Sequence, residues 1–310
     1  MGQPTGDLSS FQFLQLEPSA RAAALGGAMV AVADGDPNAL FYNPATPGTV
    51  AERSATLSYL NHLADMNAGT VAYSHTASTL GTTLSGGIRF ASWGEFQRRD
   101  AYGEPTGTFR ASDAALTVGA SRGVGERLRY GANLHLLHAQ IDRARATAVA
   151  VDVGGLYRWP TYGMSVGAAL RNAGTALDGY GDRSTPLPLD LQVGVSKRLA
   201  HLPLLLTVAA YDLTNLSTGV RGGTTFDHVL GHLIMGAEMR PGDVLRLRVG
   251  YNHRRSRELA LTDRFDFAGV GLGFGIHLGR IAVDYAYNSW SSLGGLHQFT
   301  VRARLSGKED

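Results

Sequence analysis

The amino-acid sequence predicts an all-β chain: a transmembrane antiparallel β-barrel of about fourteen strands over residues 51–310, preceded by an N-terminal plug or hatch segment over residues 1–50. Three observations predict it. From about residue 54 onward the hydrophobic period is two. The connections between the alternating segments are short and long by turns. No apolar run reaches the roughly eighteen residues that a membrane helix needs, the longest candidate being Leu202 to Ala210, so any crossing of a bilayer falls to strands.

Strand-like segments begin near residues 54, 69, 82, 113, 127, 147, 162, 188, 203, 229, 244, 267, 280 and 297. In Arg127–Leu136, Leu128, Tyr130, Leu134 and Leu136 alternate with Arg127, Arg129, Asn133 and His135. Leu245, Leu247, Val249 and Tyr251 stand against Arg246, Arg248 and Gly250. In Gly269–Leu278 the glycines at 269, 271, 273 and 275 alternate with Val270, Leu272, Phe274 and Ile276, and a face without side chains implies that something packs close to that wall. Ile281, Val283, Tyr285 and Tyr287 oppose Arg280, Ala282, Asp284, Ala286 and Asn288, and Phe299, Val301, Ala303 and Leu305 oppose Gln298, Thr300, Arg302 and Arg304. An arginine facing lipid at mid-depth costs about 2–4 kcal/mol, so Arg246, Arg248, Asp284, Arg302, Arg304 and Glu238 are expected to line the lumen.

The short connections are Val124 to Glu126, Pro160 with Thr161, Ala200 to Leu202, Pro241 to Asp243, and Gly279; the long ones are expected over 93–112, 172–187, 214–228 and 255–266. Turns on one rim and long loops on the other are the pattern of outer-membrane barrels, with the turns on the periplasmic side. Tyr157, Trp159, Tyr162, Tyr251, Tyr287 and Trp290 lie near strand ends, where interfacial girdles form.

Residues 1–50 lack this alternation. They contain small-residue stretches such as Ala22 to Gly27, and leaving Phe11, Phe13, Leu14 and Leu16 in water is unfavourable, so the segment is expected to plug or line the barrel. Gly26 and Gly27 permit a sharp turn or close packing on the wall, Arg21 can pair with an inward carboxylate such as Asp284 or Glu238, and Asn43-Pro44 makes a turn into the first strand. Met1 to Ser10 is polar and does not read as a signal peptide, so the numbering is taken as that of an exported chain after processing.

Composition narrows the function classes. Glycine is 40 of 310 residues, above the usual share of about 7%, while charged residues are 17% against about 25% in typical globular chains. A net charge of +2 offers no nucleic-acid footprint, and the lack of cysteine removes thiolate zinc sites, thiol nucleophiles and disulfides. Val118-Gly119-Ala120-Ser121-Arg122-Gly123-Val124-Gly125 imitates a dinucleotide loop, but alternation rather than a helix follows it, and no Tyr-x-x-x-Lys pair follows either. His135 and His138, three apart, fall on opposite faces of a strand. His228 and His232 lack a carboxylate cluster beyond Asp227 and Glu238, and Ser74 with His75 has no elbow or triad context. The expectation is a non-enzymatic chain with no catalytic residues, metal or cofactor.

The start of the chain carries a resemblance. Phe11-Gln12-Phe13-Leu14, then Ser19-Ala20-Arg21-Ala22-Ala23-Ala24-Leu25-Gly26-Gly27, then Asp34 and Asp36, then Asn43-Pro44-Ala45, resemble the N-terminal pattern of the PorV/PorQ branch of the FadL-like outer-membrane barrels, the PorQ form in particular. The motif match covers about residues 11–45, and the strand count extends the likeness over the chain. The resemblance implies a location in the cell outer membrane and a non-enzymatic subunit of the type IX secretion attachment complex. Such a subunit anchors a PorZ-like partner, alongside PorU- and PorV-like proteins, for cargo processing and attachment to lipopolysaccharide. Its working parts would be the loops Trp93 to Ser112, Asn172 to Leu187 and Asn215 to Val220, with Trp93, Phe96, Tyr102, Tyr180 and Asn215 as contact residues. The alternative is a FadL-like channel for hydrophobic molecules with the N-terminal segment as hatch, for which Ile234, Leu137 and Leu205 are apolar lumen candidates and in which a lipid or detergent molecule would occupy the lumen. A soluble all-β binding protein would instead bury the apolar faces under a second sheet.

Overall fold

In the computed structural model the described residues are 11–49, 53–61, 66–179, 186–216, 224–259, 267–289 and 294–305. They form one closed antiparallel barrel of fourteen strands. The strands are β1 (Arg53–Asn61), β2 (Asn67–Ala77), β3 (Thr82–Arg99), β4 (Pro105–Val124), β5 (Leu128–Ile141), β6 (Ala144–Trp159) and β7 (Met164–Asp178), then β8 (Asp190–Arg198), β9 (Leu204–Ala210), β10 (Leu233–Met239), β11 (Leu245–Asn252), β12 (Val270–Leu278), β13 (Ile281–Ser289) and β14 (Gly295–Leu305). Each strand pairs with the next, and β14 closes on β1 from Arg53↔Leu305 to Asn61↔His297, so no edge of backbone donors is left open.

The alternation sorts the side chains as a membrane barrel requires. Ile281, Val283, Val301 and Leu247 point outward and are 42–54% exposed, with no second sheet or helix over them. Their neighbours Asp284, Thr300 and Arg248 point inward and are buried. Short turns at Gly125–Arg127, Gly279 and their equivalents mark one rim, and the longer connections, carrying the helices α2 (Thr225–Leu230) and α3 (His253–Leu259), mark the other. No helix among the described residues is long and apolar enough to cross a membrane.

The wall is uneven in height. β3 to β6 run 14–20 residues while β8 to β11 run 7–9. The expected loop over 93–112 is therefore corrected: β3 continues to Arg99 and β4 starts at Pro105, leaving only 100–104 as a turn. The stretch 105–112 alternates weakly, and its residues 105–108 are exposed on both faces. Likewise β7 persists to Asp178, shortening the connection expected over 172–187.

Residues 11–48 fill the barrel. The helix α1 (Ala20–Ala24) is capped by Ser19, whose side chain accepts from the Ala22 N–H. It ends at Gly26 and Gly27, whose φ values of +68° and +97° are strained for residues with a side chain. Phe11, Phe13, Leu25, Met29 and Leu40 are fully buried between plug and wall.

Candidate functional site

The plug touches the wall in two chemically different ways. On the β10–β13 side, glycines make room for it. A Cβ built on Gly250 would stand 2.2 Å from the Leu25 carbonyl carbon, one on Gly271 would stand 2.5 Å from the Ala23 oxygen, and one on Gly273 would stand 2.6 Å from the Ala24 methyl. The glycine face of β12 is thus the seat of α1.

Beside that seat lies a buried ion cluster. Arg21 of α1 donates through Nε to Glu238 (2.8 Å) and through Nη2 to Asp34 (2.6 Å), and its Nη1 lies 3.5 Å from Asp36. Arg248 bridges Glu238 (2.8 Å) and Asp284 (2.6 Å), and Arg240 reaches both Glu238 and Asp34. Asp284, which alternation offered as an alternative partner for Arg21, is taken by Arg248. Arg302 extends the cluster to Asp36 at 3.7 Å. Charges of opposite sign alternate, so each buried carboxylate is compensated, and removing one member would strand another. Burial alone would raise the Asp34 carboxyl, but the Arg21 guanidinium outweighs it and holds the group well below the usual carboxylate range.

Elsewhere the wall satisfies the plug's backbone with neutral groups and two arginines, Arg89 and Arg129, the latter donating to the Ala45 carbonyl (3.2 Å). Asn133 donates to the Leu40 carbonyl (2.8 Å), Thr207 to that of Ala28 (2.8 Å), and Ser165 and Ser196 both to that of Ala31 (2.8 and 2.9 Å). Arg89 spans the carbonyls of Phe13, Leu14 and Leu16. Asn43 donates to the carbonyls of Val30 and Gly155, while its side-chain oxygen accepts from the Ala45 N–H, so Asn43-Pro44 is a turn tied to β6. These bonds answer the demand that a buried irregular segment places on its surroundings.

At the long-loop mouth a vestibule lies above the plug in two lobes. A hollow of about 290 Å³ is the more polar of the two, lined by Tyr42, Arg171, Tyr211 and Arg254 among others. A hollow of about 510 Å³ is more apolar, lined by Leu60, Met66, Trp93 and Leu296 among others. Both are bounded by Gln15, Leu16, Glu17, Arg255 and Glu258. The partition is an ion pair, Arg255 Nη2 to Glu17 Oε1 at 2.7 Å, and the Tyr42 hydroxyl also donates to Glu17. In the polar lobe Arg171 lies over the Tyr42 ring and Arg254 over the Tyr211 ring, and Arg254 pairs with Asp212 at 2.7 Å. Near α2, hydrogen bonds from the Thr224 N–H and hydroxyl pull the Asp227 carboxyl down to about 2. At the opposite mouth a third hollow of about 540 Å³ opens among the short turns.

The structure brings together Arg21, Asp36, Glu238, Arg248, Asp284 and Arg302, and sets Gly26, Gly27, Asn43 and Pro44 on the plug against the wall. Arg246 and Arg304 stand apart at the short-turn mouth, donating to the Gly242 and Gly279 carbonyls. Of the residues expected on external loops, Trp93 is a correction: it sits within β3, faces inward, donates to Asp113 (2.6 Å) and lines the apolar lobe. Phe96 also lies on β3, stacked on Phe109 at 5.4 Å. Tyr102 is 91% exposed at the tip between β3 and β4, Asn215 is exposed beside Asp212, and Tyr180 falls outside the described residues, as does Trp290.

Sequence reasoning missed the vestibule, whose members are scattered from residue 12 to residue 298, and a buried array in which His135 joins Thr117 (2.8 Å) to Asp152 (2.7 Å). That array has the order of a nucleophile relay, but Thr117 is fully buried and lines none of the three hollows. Its work is to tie β4, β5 and β6 together, and Asp152 further accepts from the Asn172 N–H. Among the described residues no three His, Asp or Glu side chains gather as a metal site.

No protein-family model matches the sequence, and no curated protein matches it. Among solved structures the fold is similar to a deltaS2 mutant of the TodX monoaromatic hydrocarbon channel, at 12% identity, with 96% of this chain and 98% of that chain covered and a TM-score of 0.58. It is also similar to a Pseudomonas aeruginosa FadL homologue, at 12% identity, with 93% and 98% covered and a TM-score of 0.56. At this identity the likeness is one of fold alone.

Proposed function

We propose that this chain is an outer-membrane channel that admits small apolar or amphipathic molecules from the long-loop side, with residues 11–48 as its hatch. The observation that carries the reading is the two-lobed vestibule, apolar on one side and arginine-lined on the other, whose partition is held by the outer end of the plug itself. A molecule with an apolar body and an anionic or polar head matches both lobes, and displacing the Arg255–Glu17 pair would loosen the plug where it meets the ligand. The full-length likeness to a monoaromatic hydrocarbon channel supports the substrate class. The exposed apolar outer face supports the membrane placement.

The test is uptake of radiolabelled toluene and of a long-chain fatty acid by cells with and without the gene. Faster uptake of either with the gene is expected; equal rates for both would overturn the reading.

A second reading is favoured by one observation. The long β3–β4 hairpin carries the stacked Phe96 and Phe109 with Tyr102 at its tip, an aromatic surface of the kind that anchors a protein partner. Under it the barrel is a type IX secretion attachment subunit holding PorZ-, PorU- or PorV-like proteins, as the N-terminal resemblance implies. Pull-down of those proteins, lost on Tyr102→Ala with Phe96→Ala, supports this reading; their absence from the pull-down sinks it.

A further inference from the structure

We infer that Trp93 is the residue by which the apolar lobe selects aromatic rings over aliphatic molecules of the same size, and that Asp113 is the positioning residue that aims its indole. The inference rests on the channel reading proposed above and narrows the substrate class of that same vestibule.

The local sequence explains how one large ring comes to stand there. β3 and β4 pair regularly as far as Ser92↔Ser112 and resume at Glu95↔Arg110, so Trp93 and Gly94 together oppose Ala111. Such a bulge re-aims a side chain and recurs next to active sites. Gly94 takes a φ of +85° and brings no side chain, so the extra residue adds backbone without bulk. The one side chain of the bulge is the indole, and it lines the lobe.

Asp113 fixes that indole and does little else. Its inward neighbours are alanines: Ala91 and Ala139 across from it, Ala111 and Ala115 along β4, each 7% exposed or less. Among the described residues its hydrogen-bond donor is the Trp93 indole N–H, at 2.6 Å, and no arginine or lysine stands close enough to act on it. A carboxylate among methyl groups with one neutral donor is costly to bury. A tie between strands needs no charge, since hydroxyls alone join Thr76 to Thr83 and Ser165 to Ser196. What the charge adds is a shorter and stronger bond to the indole than a neutral acceptor makes. Asp113 lines none of the three hollows, so it reaches a ligand only through Trp93.

The rest of the lobe is suited to a ring. Met66 brings a thioether and Arg255 a guanidinium, and both are attracted to aromatic rings beyond what contact area gives. Leu16, Leu60 and Leu296 bury a ring or an aliphatic chain alike. Arg255 is committed to Glu17 at 2.7 Å, and methionine side chains are flexible, so the contact that is both aromatic and oriented is Trp93.

The test is uptake of radiolabelled toluene and methylcyclohexane, rings matched in size, by cells that express the full chain. A three- to tenfold preference for toluene is expected from the added ring contact. Trp93→Leu should abolish the preference while methylcyclohexane still enters, and Trp93→Phe, a ring without the N–H donor, should keep part of it. Asp113→Leu should reduce the preference, and Asp113→Asn, which keeps an acceptor oxygen, should restore most of it. The ratio of two solutes in one cell sample cancels expression and folding yield, so a purely structural role would lower both uptakes together and leave the ratio alone. That result, no preference in the parent, or a preference that survives Trp93→Leu overturns the inference and leaves the channel standing. If neither solute enters faster than in cells without the gene, the channel reading falls, and the site is judged on the purified chain. Trp159→Phe with Trp290→Phe then leaves Trp93 as the remaining tryptophan. Its emission should respond to benzyl alcohol at a several-fold lower concentration than to cyclohexylmethanol; equal responses overturn the inference as well.

Discussion

The two ends of the plug are held by ion pairs of opposite character. At the inner end the Arg21 and Glu238 side chains are 3% and 1% exposed and sit in an alternating cluster with Asp34, Arg240 and Arg248. At the outer end the Arg255 and Glu17 side chains are 26% and 12% exposed and open onto both lobes of the vestibule. A buried pair is costly to break because the surviving partner stays desolvated, whereas a pair near water is rehydrated when it opens. The difference teaches that the plug is fixed at the short-turn end and latched at the long-loop end, so local opening starts where an external ligand would arrive.

The strongest way to break this comparison is Arg21→Met. It removes the cation shared by Glu238, Asp34 and Asp36 while keeping a side chain of similar bulk, and should destabilise the folded barrel by about 3–5 kcal/mol. Thermal unfolding in detergent reads the loss, and limited proteolysis reads release of residues 11–48. A melting temperature within a degree or so of the parent would show that the inner cluster does not fix the plug.

Gly250→Ala probes the same end by shape instead of charge. Its new methyl would meet the Leu25–Gly26 backbone at 2.2–2.3 Å, which no rotamer relieves, so the plug or β11 must shift. A cost of about 1–3 kcal/mol is expected from overpacking, with raised protease sensitivity of the plug. Gly242→Ala, in a turn where a Cβ meets nothing within 4 Å, is the matched control and should be silent by both readouts.

Acid sharpens the comparison. Burial works against the Asp34 carboxylate, but Arg21 more than offsets it, so its pKa in the folded barrel lies below the unfolded value of about 3.9. With a depressed pKa, the contribution to stability is complete above the unfolded value and is lost as pH falls below it towards the folded one. The inner anchor should therefore hold from neutral pH down to about pH 5 and weaken only below about pH 4, and Arg21→Met should flatten that acid limb. Melting temperatures against pH decide it; a parent barrel that lost its plug between pH 7 and pH 5 would contradict the assignment.

Much of this arrangement was legible in the residues. The period-two alternation of Ile281–Tyr287 and Phe299–Leu305 fixed which faces meet lipid because a charge on that face is penalised, and the glycines of β12 announced a close neighbour before α1 was located. Arg21 with Glu238 was readable as a cation and a carboxylate that must both be compensated. The height of the β3–β4 hairpin was not, since no hydrophobic contrast marks residues 105–112. Trp93 was not legible as a strand residue either, because it stands at a break in register between Ser92 and Glu95, where the alternation slips. The vestibule was invisible because Leu16, Arg171, Tyr211 and Arg255 are joined only by barrel closure, which no local pattern encodes.

Glu17→Gln is the smallest expected effect and the one that tests the latch itself. It removes the charge and keeps an acceptor oxygen for only one of Arg255 and the Tyr42 hydroxyl, which meet different carboxylate oxygens, and because the pair is partly open to water the cost should be about 1 kcal/mol. Global unfolding should hardly move. Protease cleavage within residues 11–18 should rise, and uptake of toluene, if the chain conducts it, should quicken, because the first step of opening becomes easier while the Arg21 cluster stays intact. A fall in global stability as large as that of Arg21→Met would make the two ends equivalent, and the division into fixed end and latch would have to be abandoned.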